Sequence, residues 1–226
     1  MTRYKWYCLG LPGSLFDFIG RIKARNFSAN SASGFIAGED DLESYAFRYA
    51  WRSRIVATDI DAEGNSTASS ISIVNVCEFS IFSKFDKIWL RIVDPPRSNK
   101  ELLDALETVA GFGFYAEIVI FSSSVHAALL KSVDECRLIS FKGVGGIPEE
   151  KAVARIEMAS KIGLDLNRFE FLKKIQYSVD HAVYEAVYRR ERGQIAFSTS
   201  GLVKIGGDLR PYMLELVESE LPRKRD

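Results

Sequence analysis

The chain has 226 residues, 47% hydrophobic and 12% aromatic, enough for a sizeable core and incompatible with an intrinsically disordered protein. Lysine plus arginine and aspartate plus glutamate each total 30, so the formal net charge is zero. That balance argues against binding nucleic acid through bulk charge and confines any such role to a local basic face. Three cysteines (Cys8, Cys77, Cys136) are widely spaced and never form a CxxC pair. The pattern reads as free thiols in a cytoplasmic compartment rather than a disulfide framework. No apolar run reaches the ~18 residues of a membrane-spanning helix. Lys5 and Pro12-Gly13 interrupt any signal-peptide pattern, and no membrane association is expected.

In chain order, residues 3–9 (RYKWYCL) predict a strand. Ser14 predicts an N-cap, with Asp17 in the first helical turn and Leu15, Phe18, Ile19 and Ile22 on one helical face. Residues 26–41, rich in Ser, Ala, Asn and Gly, read as a long loop.

The organising stretch is 43–93. In residues 45–55 (YAFRYAWRSRI), Tyr45, Phe47, Tyr49, Trp51 and Ile55 alternate with Arg48, Arg52 and Arg54. Successive strand side chains point to opposite faces, so this strand has an aromatic face to bury and a cationic face to leave wet. Such alternation belongs to antiparallel sheets. A turn over 59–65, a return strand over 71–82, a turn at 84–86 and a third strand over 88–93 complete a meander.

Pro95-Pro96 stops the sheet, and Ser98 with Glu101 reads as a capping box. Leu102, Leu103, Leu106, Val109 and Ala110 supply the face of the helix that Gly111 ends. A strand over 115–121 follows, then a short helix capped by Ser123 or Ser124, then a strand over 137–141. Gly143, Gly145 and Gly146 read as a loop. Pro148 opens a predicted helix with Glu149 and Glu150 in its first turn and Val153, Ile156 and Ala159 on its face. Another short helix covers 165–175. Residues 177–188 read as a strand, with helix as the rival because Ala and Glu are frequent. Residues 194–199 and 202–205 form a hairpin about Ser200-Gly201. Asp208 caps a last helix carrying Leu209, Tyr212, Met213, Leu216 and Val217, and the tail after Pro222 frays.

These elements predict an α+β fold: a mainly antiparallel, twisted sheet with helices packed on one face. Residues 43–110 and 177–221 share a plan of strands followed by a helix, which suggests two similar halves. The chain reads as one domain, with a subdivision into 1–145 and 146–226 as the alternative. Residues 197–207 (FSTSGLVKIGG) plus the following helix resemble the end of one half of a TATA-binding-protein fold. The resemblance implies a curved antiparallel sheet backed by helices and carries no function with it.

The candidate binding residues are Arg48, Arg52 and Arg54, whose guanidiniums could grip phosphate or carboxylate, extended by Arg189, Arg190 and Lys204 if the C-terminal strands join the same sheet. The competing reading is a solvated face neutralised by carboxylates such as Glu78. The glycine loop at 142–150 matches neither dinucleotide nor P-loop spacing, and its two glutamates oppose a phosphate. Asp59, Asp61, Glu63 and Asn65 echo half of an EF-hand, but Ser70 stands where the closing glutamate belongs. His126 and His181 are isolated and, with no paired cysteines, indicate no metal site. No nucleophile elbow or nuclease Glu-x-Lys strand is present, and no cofactor is expected. The preferred reading is a non-catalytic recognition or adaptor module in a larger protein assembly, with a protein partner or homo-oligomerisation. The alternatives are a nucleic-acid-binding accessory protein using the arginine face, and an enzyme whose site is assembled from scattered residues.

Overall fold

The structure, a computed structural model, describes residues 1–39, 44–60, 62–147, 152–173 and 175–223. Strands dominate, and the paired strands with stated registers are antiparallel. With five helices among the described residues, the chain is a sheet-dominated α+β protein. It divides into two compact units, one of Tyr7–Glu117 and one of Met1–Trp6 with Ile118–Asp226. The first strand, β1 (Thr2–Gly10), contributes residues to both.

In the unit of Tyr7–Glu117, the order is β2 (Ser33–Ala37), β3 (Ser44–Ile60), β4 (Ser66–Lys84), β5 (Lys87–Val93). The aromatic face expected for β3 is the buried one: Phe47 and Tyr49 lie opposite Phe79 and Cys77, all four nearly inaccessible. Phe79 sits between Phe47, stacked at 5.5 Å, and Phe35 of β2, edge-on at 6.1 Å. The β4–β5 turn places Phe85 and Asp86 at φ 54° and 57°, the left-handed pair that a two-residue hairpin requires. The helix α1 (Leu15–Ala24) is capped as expected, Ser14 Oγ accepting from the Asp17 amide at 3.0 Å, and it buries Phe18, Ile19 and Ile22.

Three expectations fail in this unit. The loop read over 26–41 contains β2, whose Phe35 is buried against Tyr49, while Asp40 and Asp41 lie outside the described residues. The helix α2 (Lys100–Ala110) has no capping box. Its N-cap is Asn99, whose Nδ2 donates to the Tyr7 hydroxyl at 3.0 Å, and Ser98 Oγ accepts from Lys100 N instead. Both strands of the hairpin are longer than expected, so Asp59 belongs to β3 and the EF-hand echo dissolves into a strand, Asp61 lying outside the described residues.

Next along the chain, β6 (Tyr115–Ile118) is shorter than the strand read over 115–121. In the other unit, the order is β1, β11 (Leu202–Gly207), β10 (Glu191–Ser198), β9 (Gln176–Tyr188), β7 (Glu135–Ile147), β8 (Ala152–Ala159). Ile195, Phe197, Val203 and Ile205 are among its buried strand residues. The helix α3 (Ser123–Lys131) is capped by Ser122, whose Oγ accepts from Val125 N, rather than by Ser123 or Ser124. The helix α5 (Arg210–Ser219) has Leu209 at its N-cap with no side-chain bond, so Asp208 does not cap it, and it buries Met213 and Val217.

The glycine loop and the helix after it are both strands. Gly143, Gly145 and Gly146 belong to β7, and at Gly143 and Gly145 the paired strand β9 approaches closely. A Cβ on Gly145 would meet Gln176 O at 2.8 Å, and one on Gly143 would meet Ser178 O at 2.7 Å. Residues 152–159 form β8, with Ile156 turned into a cluster with Phe141 and Leu172 while Val153 faces solvent. Pro148, Glu149 and Glu150 lie outside the described residues. The helix expected over 165–175 is reduced to a 3-10 turn (Leu166–Arg168) and the one-turn α4 (Glu170–Lys173).

Candidate functional site

The most unusual feature is the outer part of β3 and β4. The strand β2 pairs with β3 only between Phe47 and Trp51, and β5 pairs with β4 only from Glu78 to Lys84. Beyond those points β3 and β4 pair with each other alone, from Ser53 opposite Ile73 to Ile60 opposite Ser66. These eight pairs make a two-stranded ribbon about 26 Å long at ~3.3 Å per residue. Such a ribbon is marginal in water unless further strands or a helix cover it. This one exposes apolar side chains on both faces. Ile55 and Ile71 share one face and Val56 and Ile60 lie on the other, which Val74 and Val76 continue just inside the ribbon, all of them exposed.

The two edges of the ribbon differ. Its β3 strand carries Arg52, Arg54 and Asp59. Its β4 strand, residues 66–76 (STASSISIVNV), contains no charged residue and no proline. Natural proteins blunt exposed strand edges with lysine, proline, bulges or a covering element. Among the described residues, residues 66–76 have none of these on their outer side.

The arginines predicted on the opposite face of β3 are exposed there, but they are not equivalent. Arg48 lies opposite Glu78, so the neutralising carboxylate expected for it is its cross-strand neighbour. Arg52 is engaged: Nε donates to Ser31 O at 3.0 Å, Nη2 donates to Ala29 O at 2.7 Å, and the guanidinium lies 5.5 Å from the Phe27 ring centre. It holds the segment before β2 and is not displayed for a ligand. Arg54 lies opposite Ser72, out on the ribbon.

The other predicted binding residues belong to the second unit. Arg189 and Arg190 make the β9–β10 turn with φ 52° and 71°. The Arg189 amide donates to Asp134 Oδ2 at 2.8 Å, and its guanidinium covers the Tyr188 and Tyr212 rings. Lys204 is within β11, opposite Arg3 and Ala196.

The two histidines and the two cysteines Cys77 and Cys136 are desolvated. Burial pushes His126 below the ordinary imidazole range, and its ring stacks on Phe197 at 4.0 Å. His181 is lowered too, first by burial and then by Lys204 and Lys142. Desolvation, aided by Glu78, pushes the Cys77 thiol up to about 11, and desolvation alone does the same to Cys136. Neither sulfur is an activated thiolate. A broad cleft of about 910 Å³ is lined by Cys136, Arg137, Glu157, Asp165 and Arg168. Its carboxylates are matched by cations: Glu157 by Lys142 at 2.7 Å and Asp165 by Arg168 at 3.2 Å. Arg137 is itself paired with Glu185. Among the described residues, no group of histidine, cysteine and carboxylate side chains could hold a metal ion, and no helix is long and apolar enough to cross a membrane.

The ribbon was legible as two strands but not as a ribbon, because nothing in its own residues tells where β2 and β5 stop. The usable signal was the uncharged run at 66–76. No protein-family model and no curated protein matches the chain.

Proposed function

We propose that this chain is a non-catalytic recognition module that docks into a larger protein assembly through the β3–β4 ribbon. One observation carries the reading: eight strand pairs, two-stranded over their whole length, expose the four large apolar side chains Ile55, Val56, Ile60 and Ile71. The exposed apolar side chains and open strand edge of such an element are stabilised by a partner, and exposed apolar surface of this kind marks an interaction site. The three free cysteines support a reducing, cytoplasmic setting.

The same reading takes the helices of each unit as backing one face of its strands. Lys23 of α1 over the Tyr45 ring supports it, as do Trp6 Nε1 donating to Glu218 of α5 and His126 of α3 against Phe197. It also takes β3–β5 with α2 and β9–β11 with α5 as two similar halves.

The test is excision. Residues 54–72 are replaced by Asn-Gly, which closes β3 onto β4 at Ser53 and Ile73. Native complexes are then compared by affinity purification and sizing. The expected result is a species well above the 25.4 kDa of the chain for wild type and its loss on excision. Unchanged association without the ribbon overturns the reading.

A nucleic-acid role is the second reading, favoured by the exposure of Arg54 on the ribbon. It now draws on Arg48 and Arg54, because Arg52 is occupied by Ser31 and Ala29. It predicts salt-sensitive binding of DNA or RNA that Arg48→Ala/Arg54→Ala loses.

A further inference from the structure

We propose that the occupant of the outer β4 edge is a second copy of this chain, paired antiparallel about a two-fold axis that sets Ile71 opposite Ile71 of the second copy. The proposal rests on the reading of the ribbon as a docking element and names its partner.

The register follows from where the bare edge begins and ends. The outer side of β4 is occupied by β5 from Glu78 onward, and the strand starts at Ser66. The bare edge is therefore 66–76, and its midpoint is Ile71. A two-fold axis there pairs Ser66 with Val76, Ala68 with Val74 and Ser70 with Ser72 of the second copy, and it uses the whole edge. Sliding the copies further inward drives each hairpin tip into the other's β5. Sliding them outward leaves backbone donors and acceptors bare.

The chemistry of the edge favours self-pairing. An antiparallel pair presents each strand with the same hydrogen-bonding pattern, so one edge is complementary to itself. Residues 66–76 carry no charge, and the chain as a whole has formal net charge zero, so two copies meet without local or global repulsion. The β3 edge of the ribbon does not offer this, since Arg52, Arg54 and Asp59 interrupt it. Pairing along eleven residues forms about ten hydrogen bonds, the number usual for a specific protein interface. It also converts two marginal ribbons into a four-stranded sheet. On one face, Ile55 and Ile71 of each copy then form an unbroken row of four isoleucines, because Ile55 already lies opposite Ile71 within each chain. Cross-strand β-branched pairs of this kind stabilise a sheet.

The experiment is sedimentation velocity on the full chain across a concentration series, beside Ser70→Lys/Ser72→Lys and the ribbon excision. Ser70 and Ser72 are exposed, so the lysines disturb no core and face each other across the proposed interface. Position 72 stands opposite Arg54 in its own chain, so Ser70→Lys alone is run beside the pair, and circular dichroism checks that the strands are kept. Wild type is expected to dimerise and the double lysine variant to sediment as a monomer. In parallel, Ile71→Cys and Ser66→Cys are oxidised in a Cys136→Ser background. Ile71→Cys is expected to give a cross-linked dimer and Ser66→Cys none, because the two Ser66 positions lie about ten residues, or ~33 Å, apart. A dimer that survives both the lysines and the excision, or cross-linking through residue 66 alone, overturns the proposal. A wild type that is monomeric throughout, but loses a different protein partner on excision, overturns self-pairing and leaves the ribbon reading standing. Excision without effect on any association overturns both.

Discussion

Ile55 and Ile71 face each other across β3 and β4 with about half of each side chain exposed (50% and 55%), on the same sheet face that buries Tyr49 and Cys77 six residues further along. One alternating pattern therefore runs through two environments. Inward, β2 and β5 flank it and its residues form core. Outward, nothing among the described residues flanks it and the same residue types stand in solvent. The unit spends β-branched side chains where its own fold gains little from them, which is the reasoning behind an intermolecular role.

Because the ribbon buries so little within its own unit, replacing residues 54–72 by Asn-Gly should leave the body intact. The midpoint of urea denaturation is expected to move by less than ~1 kcal/mol equivalent, with helix and strand signals retained by circular dichroism. Phe79→Ala provides the contrast. This ring is buried between Phe47 and Phe35, and its loss is expected to cost about 3–5 kcal/mol in the same measurement.

Arg52→Ala removes two hydrogen bonds to backbone carbonyls and the contact with Phe27. Since the guanidinium is exposed, the expected loss is about 1 kcal/mol. Faster amide exchange should be confined to residues 26–33, with the ribbon unaffected. An effect on nucleic-acid binding with no change in that segment would contradict the positioning role.

Gly145→Ala tests the close approach of β9 to its neighbour β7. The new methyl would lie 2.5 Å from Ile175 Cγ2 and 2.8 Å from Gln176 O, and one of these contacts is backbone. A loss of about 1–3 kcal/mol is expected by chemical denaturation. In a solvated loop the same substitution would be neutral or slightly stabilising.

His126 and His181 give the fold a pH dependence. In the folded chain each holds its proton less tightly than the ordinary pKa of 6.5, so the unfolded chain binds more protons as pH falls through that value. The stability they contribute is present above about pH 6.5 and is lost as pH falls toward their folded values. The urea midpoint is expected to be lower at pH 5.5 than at pH 7.5, and His126→Phe should narrow the difference. A midpoint unchanged over that interval contradicts the burial of the imidazoles.

Periodicity made much of this architecture readable from the residues. The strand over 45–55, its return and third strand, the Ser14-capped helix and the hairpin about Ser200-Gly201 are all present, the first two strands running longer at their shared tip than read. Failures came where tertiary contact overrides local preference. Val153, Ile156 and Ala159 fit a helical face, yet residues 152–159 form a strand because Ile156 finds Phe141 and Leu172. Gly143 and Gly145 look like loop residues, yet they are strand glycines that let β9 approach. Ser98 carries capping chemistry, yet the N-cap falls on Asn99, which is held to the Tyr7 hydroxyl through Nδ2. For the site, the arginine alternation was visible, whereas the occupation of Arg52 by Ala29 and Ser31 carbonyls depends on a segment folded back from 21 to 23 residues away. The bare β4 edge depends on the length of β5, which no residue of β4 encodes.

The most direct measurement is hydrogen–deuterium exchange of residues 66–76 at increasing protein concentration. Outward-facing amides of a bare edge exchange quickly, whereas those of a paired edge are protected. The account requires protection that appears with concentration in 66–76 and is absent in Ser70→Lys/Ser72→Lys. Rapid exchange there at every concentration, while wild type still associates, would place the contact elsewhere on the protein and contradict the account.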